Sequence, residues 1–275
     1  MVPKETAFQD LINELQSLQE HGISVNTSKG FATIKFQLAL ILGDNLGLNE
    51  LCGFSESLNA SVYCRICTAT SKECSELCHE IKEKKRNKEN YQKHLLAKDE
   101  KSTGIRHECF FNFLKNFHIA INRTVDFMHD FLEGVCKYVL KVILDFFIYK
   151  KNYFTLDTLN ARFQQFPYNR KDSNKPPTIK KTKDRNQLNL KMSASEMSCF
   201  IRYLGPVIAD LIPEGDEYCR LFLYLKKVAD ILLSPRFTLS WLEELKIYLY
   251  QLCSLYMKLG GTLKPKFHFC CIMSL

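Results

Sequence analysis

Between residues 124 and 150 one apolar seam dominates the chain. Val125, Met128, Leu132, Val135, Val139, Val142 and Phe146 step by three and four. That spacing puts them on one side of a helix, and a helix with such a seam must bury it against other elements. Lys137, Lys141 and Asp145 interrupt the same stretch at four-residue intervals, giving it a wet stripe. The segment therefore reads as a soluble helix in a helical domain. No run of about 18 apolar residues occurs anywhere, so no membrane partner is expected.

Three further helices follow at 193–212, about 215–233 and about 238–259. The first opens on Ser193-x-x-Glu196, a capping box in which each side chain satisfies the other's free backbone N–H. The second ends at Ser234-Pro235 and the third at Gly260-Gly261. A first helix is expected near 8–20, where Phe8, Leu11, Ile12, Leu15 and Leu18 recur before Gly22. Residues 30–44 read as a strand that starts half-buried and becomes fully buried, through Ile34, Phe36, Leu38 and 39–42, ending at Gly43-Asp44. Residues 166–192 are polar, basic and carry Pro176-Pro177, which predicts an exposed linker or insertion loop. The tail 264–275 stops on apolar residues, and either packs as a last helix or once continued. The fold class is mostly α with a small β portion.

Charge and cysteine content narrow the function. The 275 residues carry 38 Lys and Arg against 30 Asp and Glu, a net charge of +8. This bias fits nucleic acid without requiring it. Twelve Cys with no secretory leader predict an intracellular, reducing setting, where free thiols or metal ligands outnumber disulfides. The sequons at Asn26, Asn59 and Asn122 are then chance matches.

Four groups of residues could carry chemistry. Asp44, at the end of the expected strand, could be a catalytic acid or metal ligand, or it could cap the next helix or start a turn with Gly47. Cys64-x-x-Cys67 has the spacing at which a tight knuckle points two sulfurs at one zinc ion. Cys74 and Cys109 are the first choices for the other two ligands, followed by Cys78 or His79. A redox pair and plain buried thiols are the alternatives. Asp126, His129, Asp130 and Glu133 fall on one helical face, where a carboxylate and an imidazole at i and i+3 could share a metal. Acidic groups in a first helical turn also simply favour the helix dipole. Gly134 inside a helix costs about 1 kcal/mol against Ala, and points to close approach of another backbone. The basic runs, with Lys84, Lys85 and Arg86 in one and Lys180, Lys181 and Lys183 in the other, are solvated surface or phosphate contacts. No Gly-rich phosphate loop, nucleophile elbow or paired-His protease helix occurs.

In order along the chain stand ILGDNLGLNELCGF, YCRIC, STGIRHECFFN, VDFMHDFLEGVCKYVL, MSASEMSCFIRYLGPVI and LKPKFHF. Together they resemble the transposases of CACTA-type and related animal DNA transposons, over about residues 8–275. The resemblance implies a ribonuclease-H-like core in which three acidic residues hold two Mg²⁺ ions for strand cleavage and joining. It matches Asp44 to the second acid, Asp126 and His129 to an auxiliary Asp-x-x-His motif, Cys64 and Cys67 to a Cys-rich zinc-type insertion, and helices 193–259 to a helical insertion. The first acid and the final Glu have no counterpart within the chain.

The implied layout is a partial core over 1–59, a Cys-rich insertion with a basic arm over 60–123, and the long helix with Asp-x-x-His over 124–165. A linker over 166–192 and the helical insertion over 193–275 complete it. The expectation is an internal transposase fragment, nuclear, binding zinc and DNA and inactive in catalysis alone. Mg²⁺ enters only if the active site is completed. Two alternatives are a domesticated protein-interaction module, which could self-associate, and a half-enzyme completed by a partner chain.

Overall fold

The computed structural model describes residues 4–79, 81–170, 172–182 and 188–272. They are mostly helical, 55% against 7% in strands, as the apolar periodicities require. No helix among them is long and apolar enough to cross a membrane. The chain forms two compact units: Met1–Glu73 with Ile81–Asp126, and Cys74–Glu80 with Phe127–Leu275. Most of the Cys-rich stretch shares a unit with the residues before it, and the long helix shares one with the C-terminal helices.

The first unit opens with α1 (Lys4–Glu20), followed by the antiparallel strands β1 (Ile23–Thr27) and β2 (Gly30–Ile34). These two strands make a sheet of their own, and β2 is exposed along its whole length. The long buried strand expected over 30–44 is therefore not what forms. The strand stops at Ile34, and residues 35–44 run on without regular structure. Phe31 (85% exposed) and Leu42 (77%) face solvent, while Leu38 and Ile41 in the run after the hairpin are half-buried against the unit's core. Then come α2 (Asn45–Leu51), α3 (Ser71–Glu76), α4 (Lys88–Ala97) and α5 (Glu100–Thr103). Asn87 and Asn90 close a capping box at the start of α4. The unit's core gathers Ile12, Cys52, Phe54, Tyr91, Ile105, Cys109, Phe111 and Phe117.

The second unit is built on the long helix. Its middle is α6 (Cys136–Asp145), but Met128–Val135 before it and Phe146–Lys150 after it are π-helical. Asp126 and Val125, expected inside the helix, precede it. The wider π turn shifts side chains away from α-helical phase, so the face expected for Asp126, His129, Asp130 and Glu133 does not form as drawn. Asp130 turns fully inward, while His129 and Glu133 stay half-exposed.

Next are α7 (Leu156–Gln165), a short pair of strands β3 (Lys180–Lys181) and β4 (Leu188–Asn189), α8 (Ala194–Ile208), α9 (Glu217–Leu232), α10 (Leu239–Lys258) and α11 (Pro265–Cys271). The Ser193–Glu196 capping box opens α8, and Pro265 opens α11, where its missing N–H costs nothing. Helices α9 and α10 pack together, α6 lies on α9, and α8 and α11 both pack on the Met128–Val135 turn. Phe131, Leu140, Ile143, Phe200, Leu204, Leu225 and Phe267 are buried at the centre, each contributing about 1.5–3 kcal/mol.

The 166–192 segment, expected as an exposed linker or insertion loop, is pinned to this core by a few residues. Ile179, Leu188 and Leu190 are buried in this core, and the Asn160 amide clasps the Ile179 backbone through both its N–H (2.9 Å) and its carbonyl (3.0 Å). Sparse apolar residues anchor a stretch whose average composition is polar.

Candidate metal centre

In the first unit, Tyr63-Cys64-Arg65-Ile66-Cys67 forms a buried knuckle. The Ile66 N–H donates to Cys64 Sγ at 3.3 Å, and the Cys64 and Cys67 sulfurs lie within 4.8 Å of each other. Two sulfurs on one tetrahedral zinc ion, at bonds of about 2.3 Å, stand about 3.8 Å apart. The pair therefore fits two corners of such a site with little movement. A zinc ion held there would brace the loop.

The surroundings of the knuckle explain its position. Residues 66–68 align with 84–86. The Arg86 N–H donates to Ile66 O (2.9 Å), the Thr68 N–H donates to Lys84 O (2.8 Å), and Cys67 bridges Lys85. Arg65, 2% exposed, reaches back to α2. Its Nη1 donates to Asn45 Oδ1 at 2.7 Å, while Nε (3.0 Å) and Nη2 (2.7 Å) donate to Thr124 O. Asn49, also on α2, donates to Ser55 O at 2.7 Å.

Arg86, 1% exposed, donates to Cys64 O (3.2 Å) and Thr103 O (2.6 Å) and lies over the Phe54 ring. Burial pushes its guanidinium down from its ordinary value, and charge on Cys64 and Cys67 would hold it up. A buried cation beside two sulfurs is an arrangement in which anionic sulfur is welcome.

The other sequence candidates fall in varied places. Asp44 is exposed and caps α2, its Oδ1 accepting from the Gly47 N–H at 2.7 Å. Its helix is the one that Arg65 fastens to the knuckle. Cys109 lies against Cys52 instead, in the core. The Cys52 hydrogen bond lowers the Cys109 thiol against burial, with help from the Phe111 and Asn112 N–H groups, while Cys52 is pushed up. Cys74 is buried and belongs, with Cys78, to the short stretch counted in the second unit. His79 is exposed.

Asp126 closes the first unit and His129 opens the second unit's helix. Glu133 accepts from the Ala194 N–H at 3.1 Å, at the start of α8, and its other oxygen lies 3.9 Å from His129 Nε2. Among the described residues no three carboxylates gather within metal-ligating reach.

Of the basic candidates, Arg86 is interior and Lys84 is ion-paired to Glu73, with Lys85 half-buried beside it. Arg86 faces inward because its guanidinium satisfies carbonyls that the knuckle and α5 leave open. Lys180 and Lys181 are exposed, Lys181 over the Tyr149 ring at 5.5 Å. Lys183 lies outside the described residues.

Sequence reasoning missed Arg65 and Arg86 as the knuckle's fasteners. The first stood in plain view between the two cysteines, but the second was hidden in a charge run. A comparison with protein-family models and with curated proteins returns no match.

Proposed function

We propose that this chain is a transposase-derived DNA-binding protein of the CACTA type, with zinc on Cys64 and Cys67 and no strand transfer of its own. The observation that carries the reading is the buried Cys64–Cys67 knuckle, fastened by Arg65 to the helix that Asp44 caps. Both blocks are among those on which the resemblance rests.

A ribonuclease-H-like origin has the support of an antiparallel hairpin followed by an apolar run that ends on Asp44. Within these residues the resemblance assigns one acid of three, and a two-metal centre needs all three converging. DNA, met in the nucleus, would be held by the net positive charge, with Lys180 and Lys181 among the exposed contacts. A mobility shift on duplex DNA tests this. The shift should weaken steeply as salt rises and weaken further in Lys180→Glu/Lys181→Glu. Strand transfer by the purified chain with Mg²⁺ or Mn²⁺, abolished in Asp44→Ala, would overturn the non-catalytic part.

A second reading draws on the exposed Phe31, Leu40 and Leu42, which favour a protein partner or self-association. No shift at low salt, together with a mass that grows with concentration, would select it.

A further inference from the structure

Three thiols meet at the edge of the second unit's core. Cys253, on α10, is buried in the centre. Its Sγ lies 3.8 Å from Cys271 Sγ at the end of α11, and Cys78 belongs to the same buried cluster, close enough for the Cys78 and Cys253 thiols to shift each other's titration. None of the three is in a disulfide. A disulfide needs sulfurs at about 2.05 Å, so Cys253 and Cys271 start from sulfur contact and must close the remaining gap to bond. The central sulfur can bond one neighbour at a time.

We propose that Cys78, Cys253 and Cys271 form a peroxide-responsive thiol relay, in which Cys253 closes a disulfide with Cys78 and can pass it to Cys271. The inference is independent of DNA binding and of zinc.

Cys78 is the point of entry. Cys78 and Cys271 are each 7% exposed, against 1% for Cys253, so a small peroxide reaches an outer sulfur first, and of these two it is Cys78 whose thiol is lowered. Hydrogen bonds from Cys253 and Ser254 outweigh burial and bring its thiol down from 9.0 to about 7. The Cys78 thiolate attacks one oxygen of a hydroperoxide and the O–O bond breaks. Cys78 becomes a sulfenic acid, and the peroxide leaves, protonated, as water or an alcohol. Cys253 then attacks the Cys78 sulfur. The S–S bond forms, the S–O bond breaks, and the oxygen departs as water with the Cys253 proton. Exchange is redox-neutral: the Cys271 thiolate attacks Cys253 sulfur and Cys78 leaves as thiolate, taking up the Cys271 proton.

The Cys52–Cys109 pair is an internal control. Its sulfurs are also in hydrogen-bond contact, but both residues are fully occluded.

The test treats the full chain with hydrogen peroxide, blocks remaining thiols, and maps linked peptides by mass spectrometry without reductant. Cys253 should appear linked to Cys78 or Cys271 while Cys52 and Cys109 remain blocked as thiols. Cys253→Ser should leave Cys78 as a sulfenic acid that dimedone traps. A Cys253 that stays reduced while other cysteines oxidise would overturn the proposal. So would Cys52–Cys109 oxidation at the same rate. The wild-type map decides even where the variant does not fold.

Discussion

The stem of Lys266 lies across Gly134: a Cβ built on that glycine would fall 2.4 Å from Lys266 Cδ and 3.1 Å from its Cβ. The ammonium continues to the His129 carbonyl, donating at 2.8 Å. A single missing side chain thus lets α11 seat against the π-helical turn.

Gly134→Ala should destabilise the protein by up to about 2 kcal/mol, because overpacking of about 1–3 kcal/mol is offset by a helix-propensity gain of about 1 kcal/mol. In a Lys266→Ala background the same change should cost clearly less, because the clash with Lys266 Cδ is gone while the close approaches to its Cβ and to the His129 carbonyl remain. Denaturant unfolding of the four-protein cycle measures this coupling. An equal loss in both backgrounds would show that the lysine stem is not the obstacle.

Asp44 offers a cleaner separation of roles. Asp44→Ala removes the cap of a seven-residue helix and should cost about 1 kcal/mol, whereas Asp44→Asn keeps an accepting oxygen and should cost a few tenths. Equal losses in the two variants would mean that charge, rather than capping, matters at this position.

Glu73 should make part of the stability acid-sensitive. The Lys84 ammonium, then the Thr70 N–H and hydroxyl, hold its carboxyl down from 4.5 to about 2. A depressed carboxylate stabilises the fold fully above its unfolded value. That contribution fades as pH falls from 4.5 through about 2. Wild type should therefore exceed Glu73→Gln at neutral pH, by about 1 kcal/mol at most for so open a pair, and the two should converge towards pH 2. A gap that stays constant with pH would rule the ion pair out as its source.

Metal content tests the knuckle directly. The purified chain should carry about one zinc per molecule, lost in Cys64→Ser and in Cys67→Ser. Cys109→Ser should retain the metal, since that thiol is engaged with Cys52. Loss of zinc in the Cys109 variant with the fold intact would restore Cys109 to the ligand set.

Much of the helical unit was legible in one dimension. Ser193 and Glu196 mark the start of α8, Gly260-Gly261 follows α10 closely, and Gly134 does sit under a close approach, although a lysine stem fills the space rather than backbone. The β portion was read less well. Ile23, Val25 and Thr27 alternate ahead of a turn at Gly30, which is a hairpin signal, yet the apolar run after Ile34 drew the strand too far. Arg86 shows a harder limit. Within KEKKRNK it is one cation among several, and only the carbonyls of Cys64 and Thr103, distant in sequence, turn it inward. The partners of Cys109 and Cys253 are equally long-range. No spacing rule announces that either thiol faces another cysteine rather than a metal.

The π-helical stretches that bracket α6 make the long helix unevenly tolerant of a change in length. Each holds a slack residue relative to ordinary α winding, so a one-residue deletion within 128–135 can be absorbed by tightening that turn. The same deletion within 136–145 has no slack to draw on. It would rotate everything beyond it by about 100°, carrying Ile143, Leu144 and Phe147 out of the core. Alignments that count this helix as one uniform coil will misassign its inner face on one side of each widened turn.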